Sequence, residues 1–123
     1  MKKTEIQKLE AKLNKLWKLK CDERYNTDTC EACGDQFSAY HHWIPKSRST
    51  LLRYNVENAI PLCVKCHYKI HNSSKPTEVQ RICNTIESIR GKKWLKYIKD
   101  RENISIKKNI LWLKEQEAIL IGD

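Results

Sequence analysis

The stretch that decides the fold runs from Cys30 to His71 and reads CEACGDQFSAYHHWIPKSRSTLLRYNVENAIPLCVKCHYKIH. It contains four of the six cysteines and all four histidines of the chain. The cysteines form two pairs at its ends, Cys30 with Cys33 and Cys63 with Cys66, and the histidines lie between and just after these pairs. This division of ligands predicts two interleaved metal sites, one of thiolates and one of imidazoles.

Two CxxC turns indicate structural zinc, because each turn presents two sulfur atoms to one ion and two turns complete a closed tetrahedron. Gly34 can adopt the positive φ that such a turn favours. The alternatives are a pair of disulfides, a redox CxxC and c-type haem, since residues 63–67 spell C-x-x-C-H. A chain without an export signal keeps its thiols reduced, and haem attachment would leave Cys30 and Cys33 without a role, so structural zinc is favoured.

The four histidines fall into two groups. His67 and His71 are four residues apart on a predicted helix, so both project from one face and can hold one ion. A mixed finger of the first cysteine pair and these two histidines would strand the second cysteine pair. His41 and His42 are neighbours at a strand end and point to opposite sides, so one should bind the ion while the other faces a water molecule.

Besides the helix that carries His67 and His71, the residues before and within the stretch predict one helix and two strands. Apolar side chains at three- and four-residue spacing indicate an amphipathic helix over roughly residues 4–20, with a polar connector from Asp22 to Asp28. A short strand is predicted over residues 37–43, and residues 56–62 are predicted to form at best an edge strand because they contain Pro61.

The residues after the stretch predict helices only. Thr77 with Gln80 is typical of a capping box, and apolar stripes indicate helices up to Gly91, on to about Arg101, and over residues 106–120. The predicted fold is α+β in a single domain, a small zinc-stabilised core over residues 28–73 wrapped by an N-terminal helix (1–21) and C-terminal helices (76–123).

The chain is strongly basic, with a formal charge of +9 over 123 residues. Positive charge is concentrated in residues 1–20 and 41–75, whereas residues 21–40 are net acidic. A basic surface favours polyanions, and the alternative is a solvated basic face without a partner. No window approaches the ~18 uninterrupted apolar residues of a membrane span. We therefore expect a cytoplasmic protein that is neither exported nor embedded in a membrane.

Five residues together resemble the ββα-metal core of HNH endonucleases: His41, His42, Asn58, His67 and His71. Their spacing is particularly similar to that of the nuclease colicins. The enclosing cysteine pairs are similar to those of HNH nucleases with a structural zinc, including phage enzymes that process recombination junctions, and SRSTLLRYNVENAIPLC resembles the phage NinG recombination proteins. The resemblance covers residues 30–71, leaves the flanking helices unmatched, and implies a bacterial or phage-encoded protein.

The resemblance also implies roles for these residues. His41, His67 and His71 would bind one catalytic divalent metal, His42 would be the general base, and Asn58 would brace the hairpin loop. Many HNH proteins have an aspartate where this chain has His41. Three imidazoles favour Mn, Co, Ni or Zn over Mg as the catalytic ion, beside the structural Zn²⁺ of the cysteines.

A phosphodiester hydrolase needs a base for its water and a cation to neutralise charge, and the residues offer both. We therefore predict a metal-dependent endonuclease that hydrolyses DNA. Lys46, Arg48 and Arg53 of the intervening loop could hold flanking phosphates, or could be solvated loop charges. The rival interpretation is a zinc-stabilised DNA-binding or recombination accessory protein that does not cleave, for which His42 would have no use. The apolar helical segments could also support a homodimer.

Overall fold

The computed structural model describes residues 3–122, and within them it has four helices and one two-stranded antiparallel sheet. The elements are, in chain order, α1 (Glu5–Tyr25), β1 (Ala39–His42), a 3-10 turn (Val56–Asn58), β2 (Ala59–Leu62), α2 (Val64–Asn72), α3 (Pro76–Glu102) and α4 (Ile110–Ile121). The predicted α+β class is confirmed. None of these helices, over residues 3–122, is long and apolar enough to cross a membrane.

Helix α1 is longer than the sequence predicted, and the connector assigned to residues 22–28 is wrong for its first four residues. The last turn of α1 stays helical because it packs on the core, where the Tyr25 hydroxyl donates to the backbone carbonyl of Val56. The helix ends at Asn26, whose φ of 43° is the left-handed conformation common at helix C-termini. This extension brings Asp22 to the wall of the groove described below.

The two strands are shorter than predicted and pair so that His41 lies opposite Ile60 and His42 opposite Ala59. Residues 56–58 form a 3-10 turn instead of strand because the Asn55 side chain accepts the backbone N–H of residue 57 at 2.9 Å. A two-stranded sheet is marginal in water. All four residues of β2 are buried, so its two faces must be covered by the helices.

Two separate apolar clusters cover the two faces of the sheet. One cluster contains Ile60 and side chains of α3, and the other contains Ala59 with side chains of α1 and α4. Opposed residues of an antiparallel pair point to the same face. His41 therefore lies on the face of Ile60 and His42 on the face of Ala59, which gives the two neighbouring histidines different surroundings.

Helix α3 begins at Pro76, one residue before Thr77. The predicted capping box of Thr77 with Gln80 is therefore wrong. Pro76 occupies the first turn, where its missing N–H is no loss, so Thr77 lies inside the helix and does not cap it. The helix is kinked at Gly91, where the first of the two predicted apolar stripes ends, and Gly91 has a φ of 86° there. This conformation suits a residue without Cβ.

Arg90, just before this kink, ties α3 to the first cysteine turn. Its guanidinium donates two hydrogen bonds of 2.7 Å to the Glu31 carboxylate and one of 3.1 Å to the Tyr25 hydroxyl. The guanidinium carbon also lies 4.9 Å from the centre of the Tyr25 ring and 5.0 Å from that of Trp94. The side chains of Arg90 and Glu31 are only 8% and 13% exposed, so each charge depends on the other.

Arg90→Met should lower the free energy of unfolding by about 3–5 kcal/mol, because it leaves the Glu31 carboxylate buried without its cation. Urea denaturation of the zinc-loaded protein measures this loss. Arg81→Met is the matched control, since Arg81 is an exposed arginine of the same helix that forms no ion pair among residues 3–122. Equal and small losses for the two variants would contradict a structural role for the Arg90 pair.

Candidate metal centres and catalytic groove

The four cysteines of the two CxxC pairs converge, as the sequence predicts. The sulfur atoms of Cys30, Cys33, Cys63 and Cys66 all lie within 4.8 Å of one another, and those of Cys33 and Cys63 are 3.6 Å apart. Four sulfurs at ~2.3 Å from a tetrahedral zinc ion would be about 3.8 Å apart. The donor set and its spacing therefore fit structural zinc.

Local structure at each cysteine turn suits this geometry. Gly34 has a φ of 84°, which closes the first turn, and its N–H donates to the carbonyl of Cys30 at 2.9 Å. Cys63 caps the N-terminus of α2, where its sulfur accepts the backbone N–H of Cys66 at 3.4 Å. The C-x-x-C-H segment is thus divided, since its sulfurs face the other cysteines while His67 faces a second cluster.

This second cluster consists of His41, His67 and His71, whose ligand nitrogens lie within 4.8 Å of one another. The last two are one turn apart on α2, and β1 brings His41 against them, with ring centres 5.0 to 5.4 Å away. Burial, and then the neighbouring imidazoles, lower the pKa of His41 to about 3. Burial likewise lowers the pKa of His67. Neutral imidazoles offer the lone pairs that a divalent metal requires.

His42 is not part of this cluster and is held separately. Its Nε2 lies 2.9 Å from the carbonyl oxygen of Arg53. A carbonyl oxygen can only accept, so Nε2 must carry the hydrogen and donate it. Burial lowers the pKa of His42 to about 4, and the ring is therefore neutral at physiological pH. A neutral ring protonated at Nε2 leaves the lone pair on Nδ1, which is the form that a general base needs.

Asn58 is fully buried and joins the end of β1 to the loop that follows it. Its amide oxygen accepts the N–H of Ile44 at 2.8 Å, and its amide nitrogen donates to the carbonyls of Ile44 at 3.0 Å and Leu52 at 3.3 Å. These contacts close the loop on the strand that carries both neighbouring histidines. The arrangement is suited to the bracing role expected for Asn58.

A groove of about 790 Å³ opens over all four histidines. Its walls come from α1, from residues 37–42 and from the start of the loop after β1, where Lys46 is exposed. Lys18 of α1 is also exposed and lines the same groove. Burial, followed by the charges of Arg53 and Lys18, lowers the pKa of Lys46. The two lysines thus face a common space, in which Asp22 is the acidic group.

The two arginines predicted to bind phosphate, Arg48 and Arg53, do not line the groove. The Arg48 guanidinium lies 3.5 Å from Glu102, yet the Arg48 side chain is 61% exposed. The Arg53 guanidinium lies 3.3 Å from Glu10 of α1 and is mostly buried. What Arg53 contributes to the groove is its backbone carbonyl, the acceptor for His42.

The contribution of α1 to the groove could not be predicted from the sequence, which indicates only a helix that packs on the core. Asn14, Trp17 and Lys18 all line the groove, and they share one face of the helix. The apolar spacing locates this helix but does not show which residues its polar edge meets, because the facing groove residues begin about twenty positions later in the chain. The position of Lys18 beside the apolar stripe is the sequence feature that indicates this polar edge.

Three imidazoles with the spacing of a metal site, a fourth imidazole held apart from them and a four-thiol cluster that fits structural zinc thus lie together within residues 30–71. Residues 30–73 match the protein-family model described as HNH endonuclease, which confirms the resemblance found in the sequence. A domain of this family indicates nuclease-type activity. No match was found among curated proteins or among solved structures.

Proposed function

We propose that the protein is a metal-dependent endonuclease that hydrolyses DNA phosphodiester bonds in the groove over the histidines. The observation that carries the proposal is the division of the four imidazoles. Three of them converge to within 4.8 Å, whereas His42 is fixed apart from them through Nε2. A metal-binding module without catalysis needs the first three and has no use for the fourth.

In the proposed reaction, Nδ1 of His42 takes a proton from the attacking water as its oxygen forms a bond to phosphorus. The bond from phosphorus to the leaving sugar oxygen breaks, and the released alkoxide takes a proton from solvent and becomes an alcohol. The His42 ring gains a positive charge, which the carbonyl dipole of Arg53 stabilises through the Nε2 hydrogen bond. Asn58 supports the reaction indirectly, because it holds the loop from which that carbonyl projects.

His41, His67 and His71 would hold the divalent ion of the proposed site, with Mn, Co, Ni or Zn favoured over Mg by three imidazole ligands. Such an ion neutralises charge on the phosphoryl and leaving oxygens. The nitrogens present fit this role, because all three lie within 4.8 Å of one another and burial lowers the pKa of His41 to about 3. The thiolate site would hold a separate structural Zn²⁺.

The test of the proposal is incubation of zinc-loaded protein with linear, nicked and four-way-junction DNA in the presence of Mg, Mn, Co, Ni or Zn. We expect cleavage with at least one ion, and the substrate that is cut fastest will identify the preferred DNA structure. Absence of cleavage with every ion and substrate would refute the proposed endonuclease activity. Binding without cleavage would favour the accessory protein instead.

Lys18 and Lys46 are proposed to contact the phosphates that flank the scissile bond, because they line the groove and form no ion pair among residues 3–122. Each phosphate contact releases condensed counterions. Lys18→Ala and Lys46→Ala should therefore each reduce the slope of log affinity against log salt by about 0.9 for duplex DNA. Fluorescence anisotropy with a labelled duplex, without added catalytic metal, measures this slope.

Lys15→Ala is the matched control for the lysine variants. Lys15 is exposed on the same helix and carries the same charge, but it does not line the groove. Its removal should leave the salt slope unchanged. If all three variants shift the slope equally, the groove lysines have no special role and binding follows net charge alone.

A further inference from the structure

Trp17 of α1 lies outside residues 30–73 and yet meets the proposed base directly. Its ring stacks on the His42 ring with centres 4.3 Å apart and planes inclined by only 17°. The Trp17 side chain is 2% exposed, and its indole Nε1–H donates to the carbonyl of Asn55 at 3.1 Å. Both rings of the stack are therefore anchored by carbonyls of one short segment, residues 53–55.

A hydrogen bond through Nε2 is not sufficient to aim Nδ1. The imidazole can still turn about its Cβ–Cγ bond while Nε2 stays within hydrogen-bond distance of the Arg53 oxygen, and this turning moves Nδ1 through an arc. A flat stack against a fixed indole restricts the plane of the ring. The two contacts together determine where the Nδ1 lone pair points, and a base must be positioned to within a fraction of an ångström to act efficiently.

We propose that Trp17 is a positioning residue for His42, through which α1 completes the nuclease site. The proposal rests on the function proposed above for His42. The competing explanation is that Trp17 only anchors α1 in the core. There its ring also lies edge-on to the Tyr40 ring, with the two ring centres 6.0 Å apart. The two explanations differ in what happens to kcat when the fold is preserved.

The experiment compares Trp17→Leu with Trp17→Phe in a DNA cleavage assay. Leucine fills space without a flat face, so kcat should fall by about tenfold or more while KM stays unchanged. Phenylalanine restores a flat ring and should recover most of that loss. Equal losses of kcat in the two variants, or a loss expressed only in KM, would overturn the proposal.

Leu13→Ala controls for the loss of core packing. Leu13 is fully buried in the same cluster and on the same helix but does not line the groove. Leu13→Ala should lower the thermal stability about as much as Trp17→Leu does. It should leave kcat unchanged when both are assayed at a temperature at which circular dichroism shows that all variants are folded. A similar loss of kcat in Leu13→Ala would mean that α1 packing, and not the stack, matters.

A readout that does not depend on cleavage separates this inference from the proposed function. NMR relaxation of the C–H groups of the His42 ring measures how far the plane of the ring moves in the folded protein. We expect equally restricted rings in the wild type and in Trp17→Phe, and larger ring motion in Trp17→Leu. Unchanged ring motion in Trp17→Leu would overturn the positioning role even if the wild type cuts DNA. Absence of cleavage with the expected ring motions would refute only the proposed function.

Discussion

Replacement of Cys66 by serine is expected to abolish tight zinc binding and to unfold the core formed by residues 30–73. Zinc binding in small domains contributes about 10–16 kcal/mol of apparent free energy to the folded state. This is about as large as the whole free energy of unfolding of a typical domain. Cys66 is buried, and its loss would leave three thiols crowded together without an ion. The unfolding would also separate the histidines, because α2, which carries His67 and His71, begins within the thiolate site.

Metal analysis and thermal unfolding by circular dichroism measure this effect. Cys83→Ser is the matched control, since Cys83 is a half-buried cysteine of α3 outside the thiolate cluster. It should retain about one tightly bound zinc and a cooperative transition. A folded Cys66→Ser protein with normal zinc content would contradict the assignment of the cysteines to a structural zinc site.

The thiolate site should also be independent of the imidazoles. A variant in which all four histidines are replaced should still retain about one zinc ion, because none of its ligands is changed. Loss of that zinc would indicate that the cysteines and histidines share a single site.

His42→Ala is expected to lower the cleavage rate by ~10² or more, the usual contribution of a positioned general base. The substitution removes the Nδ1 lone pair but none of the three converging imidazoles, so the second metal and the DNA affinity should be retained. Initial rates of plasmid nicking under single-turnover conditions measure the effect. A rate within a few-fold of the wild type would exclude His42 as the base.

His67→Ala makes the same chemical change at a proposed ligand and serves as the contrast. It should also abolish cleavage, but through loss of the second ion and of the charge neutralisation that the ion supplies. High concentrations of metal should restore part of the activity of His67→Ala and none of that of His42→Ala. Identical responses of the two variants to added metal would argue against separate roles.

The two metal clusters could be predicted from the sequence because their ligands are fixed by local geometry. A CxxC turn and an i, i+4 pair bring their side chains together whatever the rest of the chain does. The alternation of β1 likewise separates His41 from His42, and the observed register puts them on opposite faces of the sheet. The resemblance to HNH endonucleases rests on this same local pattern.

The surroundings of the site could not be predicted, because they depend on contacts between distant segments. Trp17 of α1 stacks on His42 of β1, 25 positions later in the chain, and Glu31 forms its ion pair with Arg90 of α3. Arg53 shows the difficulty most clearly. Its charge suggested a phosphate contact, whereas the fold pairs that charge with Glu10 and uses the backbone carbonyl to hold the base.

Calorimetric titration of a second divalent ion into zinc-loaded His41→Ala and His42→Ala tests the division of the four histidines most directly. We predict that His42→Ala binds the ion as the wild type does and that His41→Ala does not, although neither variant cleaves DNA efficiently. The opposite result, with the ion lost from His42→Ala and kept by His41→Ala, would exchange the two roles and contradict the proposed assignment of ligand and base.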